Sequence, residues 1–419
     1  MVFQFPNDFL WGSATAAHQV EGNNVYSDFW LLEHLPGTFF VEPSGDACDH
    51  YHRYPQDIKL LADLGLNAYR FSIEWARVQP EQDWFSGAII EHYRRMLATC
   101  HENGLKPVVT FHHFTSPRWV AAAGGWENLA TADHFARYCE RLARDLGDLI
   151  AAGCTLNEPN LAALFNAEHL DFVNPANTSL WQAAAEKLGV KPQFFKPFLF
   201  ASLESGFPVM VAAHRQAIQA MKGAGATFPM GWTLALQDIQ PVDDSAQTAE
   251  RVATLDNLIN RMYLQAVREG AAIGLDDFVG VQSYSRQLVG AQGVVRPSEG
   301  AELTQMGYEF YPLALEHTIR MAWQDAQVPV MVTENGLATG DDTRRVAFIQ
   351  QALEGVSRCL QDDIPLKGYF YWSMMDNFEW MLGYQKTFGI VGVDRATQQR
   401  LVKPSARFFG NIARQNSLE

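Results

Sequence analysis

The chain alternates short apolar runs with longer stretches whose apolar residues recur every three or four positions. The runs predict strands at Phe9–Ala16, Asn67–Ile73, Lys106–His112, Cys154–Glu158, Met230–Leu236, Asp277–Tyr284, Val328–Thr333 and Leu366–Ser373. The first is the weakest, because Gly12 and the alanines carry little β preference. Between the runs, helical spacing predicts Asp46–Gly65, Ile89–Asn103, Ala132–Leu146, Val209–Met221, Thr248–Arg268, Pro312–Trp323 and Thr343–Cys359, with Gly65 and Gly104 as stop signals. Eight strands separated by helices, with no break in composition, predict an α/β fold: a single (β/α)8 TIM barrel with extended βα loops over residues 1–419.

Two of these strands end on an acid. Val328–Gly336 (VPVMVTENG) delivers Glu334, and Cys154–Pro159 (CTLNEP) delivers Glu158, which Pro159 biases toward an extended conformation. A lone glutamate at a strand end more often caps a helix or pairs with an arginine. Two that open on one pocket supply an acid and a nucleophile for chemistry at an acetal. The barrel expectation places the pocket at the carboxyl ends of the strands. There the sequence sets Gln19, Arg70, His112, His113, Asn157, Gln282, Tyr284, Trp372, Glu379 and Trp380. Amides, acids and aromatic faces in one place suit a sugar, with its hydroxyls and its C–H face.

Composition narrows the partners. With 32 basic against 47 acidic residues the net charge is -15, which disfavours nucleic acid and anionic membrane surfaces. No apolar run approaches the roughly 20 residues of a membrane span. Five widely spaced cysteines without a CxxC fit reduced thiols, and the amino end shows no secretory signal, so a cytoplasmic location is expected. Cys48, Asp49, His50 and His52 could be drawn as a metal cluster, but they open an amphipathic helix and lack second-cluster ligands; no metal and no cofactor are expected. The aromatic stretch Trp181–Phe207 is either a wall over the substrate entrance or ordinary packing.

FLWGSATAAHQVEG, the run ACDHYHRYPQDIKLLADLGLNAYRFSIEWARVQP, VVTFHHF, TLNEPN, VTENG, YWSMMDNFEW and FGIVGVD resemble, in order and spacing, the motif series of family 1 glycoside hydrolases, the retaining β-glucosidase and β-galactosidase family. The resemblance runs from about Phe5 to Lys403. It implies Glu158 as general acid/base and Glu334 as nucleophile, with Arg70 and Tyr284 keeping the nucleophile ionised and oriented. It also implies Asn157 on the sugar 2-hydroxyl, Gln19, His113 and Glu379 on the remaining hydroxyls, Trp372 and Trp380 as aromatic floor and wall, and a cis peptide between Trp372 and Ser373. The carboxyl groups of Glu158 and Glu334 are then expected about 5 Å apart, with Glu158 titrating above Glu334.

Several positions depart from the family pattern. Gln282 and Ser283 stand where Asn and Tyr are common, putting support of the leaving-group side in doubt. Glu74 replaces a small residue and is expected to pair with Arg77. Phe114 and Tyr308 replace tryptophans, and Thr387 replaces an arginine, each reshaping the pocket; Gln282 and Tyr308 join the site as further candidates. Three readings are carried forward. The first is a retaining β-glycosidase on small β-glucosides, with β-galactosides and β-fucosides as further substrates; the second, a transglycosylase using the same glutamates; the third, an inactive sugar-binding barrel. The partner is a small glycoside, and the oligomeric state is left open.

Overall fold

The computed structural model describes residues 2–167 and 179–419. Its centre is a closed barrel of eight parallel strands: β1 (Leu10–Ala14), β2 (Ala68–Ser72), β3 (Lys106–His112), β4 (Ala152–Asn157), β5 (Met230–Ala235), β6 (Val279–Gln282), β7 (Val330–Asn335) and β8 (Leu366–Trp372), with β8 closing on β1. Helices α1 (His50–Leu64), α2 (Gly87–Glu102), α3 (Ala130–Leu146), α4 (Leu203–Gly223), α5 (Met262–Ala272), α6 (Ala314–Ala326), α7 (Asp342–Gln361) and α8 (Pro404–Gln415) follow the strands in turn. Among the described residues no helix is long and apolar enough to cross a membrane.

The strands are buried on both faces, which is why they read as continuous apolar runs. The two faces differ in size. Ala14, Ala68, Val108, Ala152 and Cys154 pack inside the barrel with Met331, Phe370 and Trp372. The outer face carries Trp11, Tyr69, Phe71, Phe111, Tyr369 and Tyr371 against the helices. Gly12 lies inside because a Cβ there would sit 2.3 Å from the Phe370 ring. The residue that weakened the first strand in the sequence is thus required by its neighbour across β8.

All eight predicted strands are present, and the differences lie mainly in the helices. Helix α1 starts at His50, not Asp46, because Asp49 is left-handed at φ 51°. Helix α4 begins at Leu203, where the Ser202 hydroxyl accepts from the Ser205 N–H. The predicted helix Thr248–Arg268 is Ala246–Asp256 joined to α5 through a π-helical turn, Asn257–Arg261. Asn260 in that turn caps both backbone groups of Gln237, and Asn160 donates to the Ile259 carbonyl. Sequence reading missed α8 and three small antiparallel or mixed sheets, among them Asp238–Pro241 with Arg286–Gly290 and Gly293–Val295.

Trp181, Phe195, Phe198 and Phe200 are fully or nearly fully buried, so this part of the aromatic stretch is packing. His50 spends one ring nitrogen on Asp57 at 2.8 Å and the other on the Tyr69 hydroxyl at 3.1 Å, while exposed His52 pairs with Asp49. Glu74 does not pair with Arg77. Its carboxyl takes the Ala76 N–H and the Thr115 hydroxyl, and Arg77 turns to Glu21 at 2.8 Å. Glu74 caps the short helix Trp75–Val78 that carries Arg77, so the two point apart. All five cysteines are free and buried.

Candidate active site

Alternation along a regular β7 would turn Glu334 away from the pocket. Met331 packs inside the barrel and Val332 packs against the helices, so a residue two beyond Val332 should face the helices too. The pairing with β6 shifts at this point: Val332 lies opposite Val281, but Glu334 opposite Gln282. The extra residue is a bulge, and it turns the carboxyl inward. Strand β4 does the same. Cys154 pairs with Gly231 and Asn157 with Thr233, so one residue is surplus between them, and Asn157 faces inward as Cys154, three positions earlier, also does. Glu158 follows not in the extended conformation that Pro159 favours but in a left-handed one at φ 50°, held by its N–H on the Thr233 carbonyl at 2.8 Å.

Arg70 sits at the centre, 1 % exposed. It shares the parity of Ala68, and so rises from inside the barrel. Its Nη1 donates to Glu334 Oε1 at 2.5 Å and to the Thr333 carbonyl at 3.2 Å, and its Nη2 donates to Asn157 Oδ1 at 2.6 Å. The Tyr284 hydroxyl donates to Glu334 Oε2 at 2.6 Å. Both Glu334 oxygens therefore have a protein donor. No described residue hydrogen-bonds the Glu158 carboxyl, which is 7 % exposed.

The electrostatics follow from this asymmetry. Burial pushes Glu158 well above the usual carboxylate range and the Glu334 charge adds to it, with Arg70 pulling the other way. Burial also raises Glu334 above the usual carboxylate range, with the Arg70 charge and the Tyr284 hydrogen bond offsetting part of that rise. Of the two acids, Glu334 is the one with hydrogen-bond donors that favour its charged form. Burial pushes Glu379 up to about 8, with the Glu334 charge adding and Lys386 opposing.

Around this pair stand the other sequence candidates. His113 Nε2 lies 3.2 Å from Asn157 Nδ2, and the His113 ring stacks on Trp372 and Trp380 with centroids 5.8 and 6.0 Å away. Burial holds its imidazole neutral, helped by the nearby Arg70 charge. Gln19 is fully buried; its Nε2 donates to the Phe378 carbonyl at 2.7 Å and its Oε1 has no partner among the described residues. The Glu379 carboxyl likewise has none. Trp372 is buried, and the peptide after it, to Ser373, is cis. Phe114 packs at a tilt against Trp380, ring centroids 5.1 Å apart, and closes that side of the wall.

Gln282 is fully buried and donates to Asn157 Oδ1 at 2.9 Å, so it supports Asn157. Tyr308 differs from the rest in being 43 % exposed. From the same loop it is Met306 that packs beside Tyr284 and the Trp372 cluster. Thr387 hydrogen-bonds Gln305 and the Thr339 carbonyl, and buried Arg345 donates to the Thr387 and Thr339 carbonyls. Sequence reading missed two contributors. Thr233 donates to Asn157 Oδ1 at 3.1 Å, and a polar residue amid the apolar run of β5 is the signal that marks it. His18, buried on Glu33 at 2.6 Å, stacks flat behind Trp380 at 5.6 Å. Among the described residues no group of three or more His, Cys, Asp or Glu side chains is placed to hold a metal ion.

Two buried carboxyls of unequal proton affinity in a pocket of amides and indoles are suited to splitting a glycosidic bond. Comparison with known proteins agrees. The model of the family described as Glycosyl hydrolase family 1 matches residues 1–274 and 280–418. Beta-glucosidase A of Acetivibrio thermocellus is 30% identical, with 98% of each chain covered. A bifunctional beta-D-glucosidase/beta-D-fucosidase of Bifidobacterium breve is 31% identical over 98% of each. Among solved structures, beta-glycosidase BGL167 superposes with a TM-score of 0.94 at 53% identity, covering 98% of this chain and 97% of that one. The chain belongs to glycosyl hydrolase family 1, and is an O-glycosyl hydrolase of the β-glycosidase kind.

Proposed function

We propose that the protein is a retaining β-glycosidase acting on small β-glucosides, and on β-galactosides and β-fucosides, by double displacement. The observation that carries this is the unequal treatment of the two acids. Glu334 is held between Arg70 and Tyr284, ready to act as a carboxylate, while Glu158 is buried without a hydrogen-bond partner among the described residues and keeps its proton. In the first step a Glu334 oxygen bonds to the anomeric carbon as the glycosidic bond breaks, and the leaving oxygen takes the Glu158 proton. A covalent glycosyl ester results. In the second step Glu158 takes a proton from water, whose oxygen attacks the anomeric carbon and frees Glu334. Two inversions restore the β configuration.

The glycone is held by Asn157, His113, Gln19 and Glu379 over the Trp372 and Trp380 faces. Glu379 is protonated below about 8, so at neutral pH it offers a donor as well as an acceptor to the hydroxyls at positions 4 and 6. Such a group suits either orientation of the 4-hydroxyl. The test is NMR of the first sugar released from an aryl β-glucoside, with and without methanol as acceptor. β-Glucose first, and β-methyl glucoside in methanol, are expected. α-Glucose as first product refutes the mechanism, and transfer product without free sugar in water makes the enzyme a transglycosylase.

A further inference from the structure

Three donors converge on one oxygen. Asn157 Oδ1 receives Arg70 Nη2 at 2.6 Å, Gln282 Nε2 at 2.9 Å and the Thr233 hydroxyl at 3.1 Å. A guanidinium only donates, so the atom facing Arg70 is the amide oxygen, and a carbonyl with two lone pairs is saturated by three donors. Asn157 has nothing left with which to accept. What remains for a ligand is its Nδ2, beside His113 Nε2.

The three supports are not equivalent. Arg70 is shared with Glu334, so the charge of that carboxylate is part of what holds the guanidinium in place. That charge vanishes when Glu334 becomes an ester. Gln282 is neutral, fully buried and braced by Thr233 at 3.3 Å, so its hydrogen bond does not change with the state of Glu334. Gln282 also lies opposite Glu334 in the pairing of β6 with β7, and opposite Ala235 of β5 on its other side.

We infer that Gln282 is a positioning residue that locks the Asn157 amide with its N–H groups toward the sugar, so that the hydroxyl next to the anomeric carbon meets a donor throughout the reaction. This rests on the proposed glycosidase function. The extra methylene of Gln282 provides the reach: an asparagine on the same backbone would fall short by about one C–C bond, about 1.5 Å. The departure from the family pattern is then a support for Asn157.

The test compares kcat/KM of the full-length enzyme on an aryl β-glucoside and its 2-deoxy analogue, for wild type, Gln282→Met and Gln282→Asn. Gln282→Met keeps the length and loses the donor. It is expected to lose about 10- to 100-fold on the glucoside, chiefly in kcat, and less than about threefold on the 2-deoxy substrate. Gln282→Asn should show a smaller loss with the same substrate selectivity, and stands in if the methionine variant does not fold. Equal losses on both substrates, or none on either, overturn the assignment. If wild type cleaves neither substrate, the proposed function falls and this inference with it; an active wild type with unselective losses refutes the role of Gln282 alone.

Discussion

Replacing Arg70 by methionine removes the one cation bonded to Glu334. Nη1 lies 2.5 Å from Glu334 Oε1, which puts the charge centres roughly 4 Å apart, and at an effective dielectric constant of about 20 the attraction is about 4 kcal/mol. At 1.36 kcal/mol per pKa unit this corresponds to a Glu334 pKa about three higher, trimmed by the Tyr284 hydrogen bond that stays. The variant should fold, because Glu334 can take up a proton in place of its lost counter-charge. The nucleophile and the acid then compete for protons in the same pH range. The acid limb of kcat/KM should move up by about two to three pH units, and activity near pH 6 should fall about 100- to 1000-fold. The assay needs two aryl glucosides. A nitrophenyl glucoside requires both the ionised nucleophile and the proton of Glu158, so raising the pH should not rescue it. A dinitrophenyl glucoside leaves without a proton, so its hydrolysis should recover at high pH as Glu334 ionises. An acid limb that moves by less than about half a unit, or a dinitrophenyl substrate that does not recover, would show that Arg70 does not set the ionisation of Glu334.

Glu158→Ala should lose about 100- to 10,000-fold on substrates with poor leaving groups and far less on dinitrophenyl glucosides, and the basic limb of its pH profile should flatten; an unchanged basic limb names another acid. Glu379→Gln bears on stability. The native Glu379 carboxyl, at about 8 against an ordinary 4.5, keeps a proton the unfolded chain has lost, so wild-type stability falls as pH rises between those values. The glutamine variant lacks this loss, and its melting temperature should exceed that of wild type by a margin that grows across that window; a constant margin contradicts the assignment. Trp181→Ala empties a fully buried indole site beside Phe195 and Phe200 and should cost about 3–5 kcal/mol in denaturant titration without moving the pH profile of kcat/KM, whereas a shift in that profile would tie this wall to the acids.

The strands were legible because a barrel strand is apolar on both faces, and a run of such residues between helical periods has few other uses. Gly12 shows the limit of propensity: it argues against a strand alone, and only the Phe370 ring across β8 explains it. Helix α1 was predicted too long because the left-handed backbone of Asp49 has no signature in a non-glycine residue. Glu74 was given the nearest arginine in sequence, but that arginine rides on the helix Glu74 itself caps. The catalytic candidates were found by type and by motif, and parity alone would have misplaced Glu334. Gln282 was legible only as an anomaly. Its hydrogen bond spans 125 positions of sequence, and its partner became known when the barrel closed.

The surplus residues in β4 and β7 separate two demands on the same strands. Beneath each bulge the side chains keep step with the barrel and its helix layer, and above it they keep step with the pocket. Residues such as Met331 or Cys154 can therefore be exchanged for others of similar volume without rotating the acids, since the phase is reset between them and the carboxyls. Loss of a single residue at either place has the opposite effect. It would restore strict alternation and swing Glu334, or Asn157, into the layer between strands and helices, where a carboxylate has no counter-charge and an amide no partner. Substitution in these strands is thus cheap for function below the step, while a one-codon deletion at either bulge should turn the acid or the amide away from the pocket.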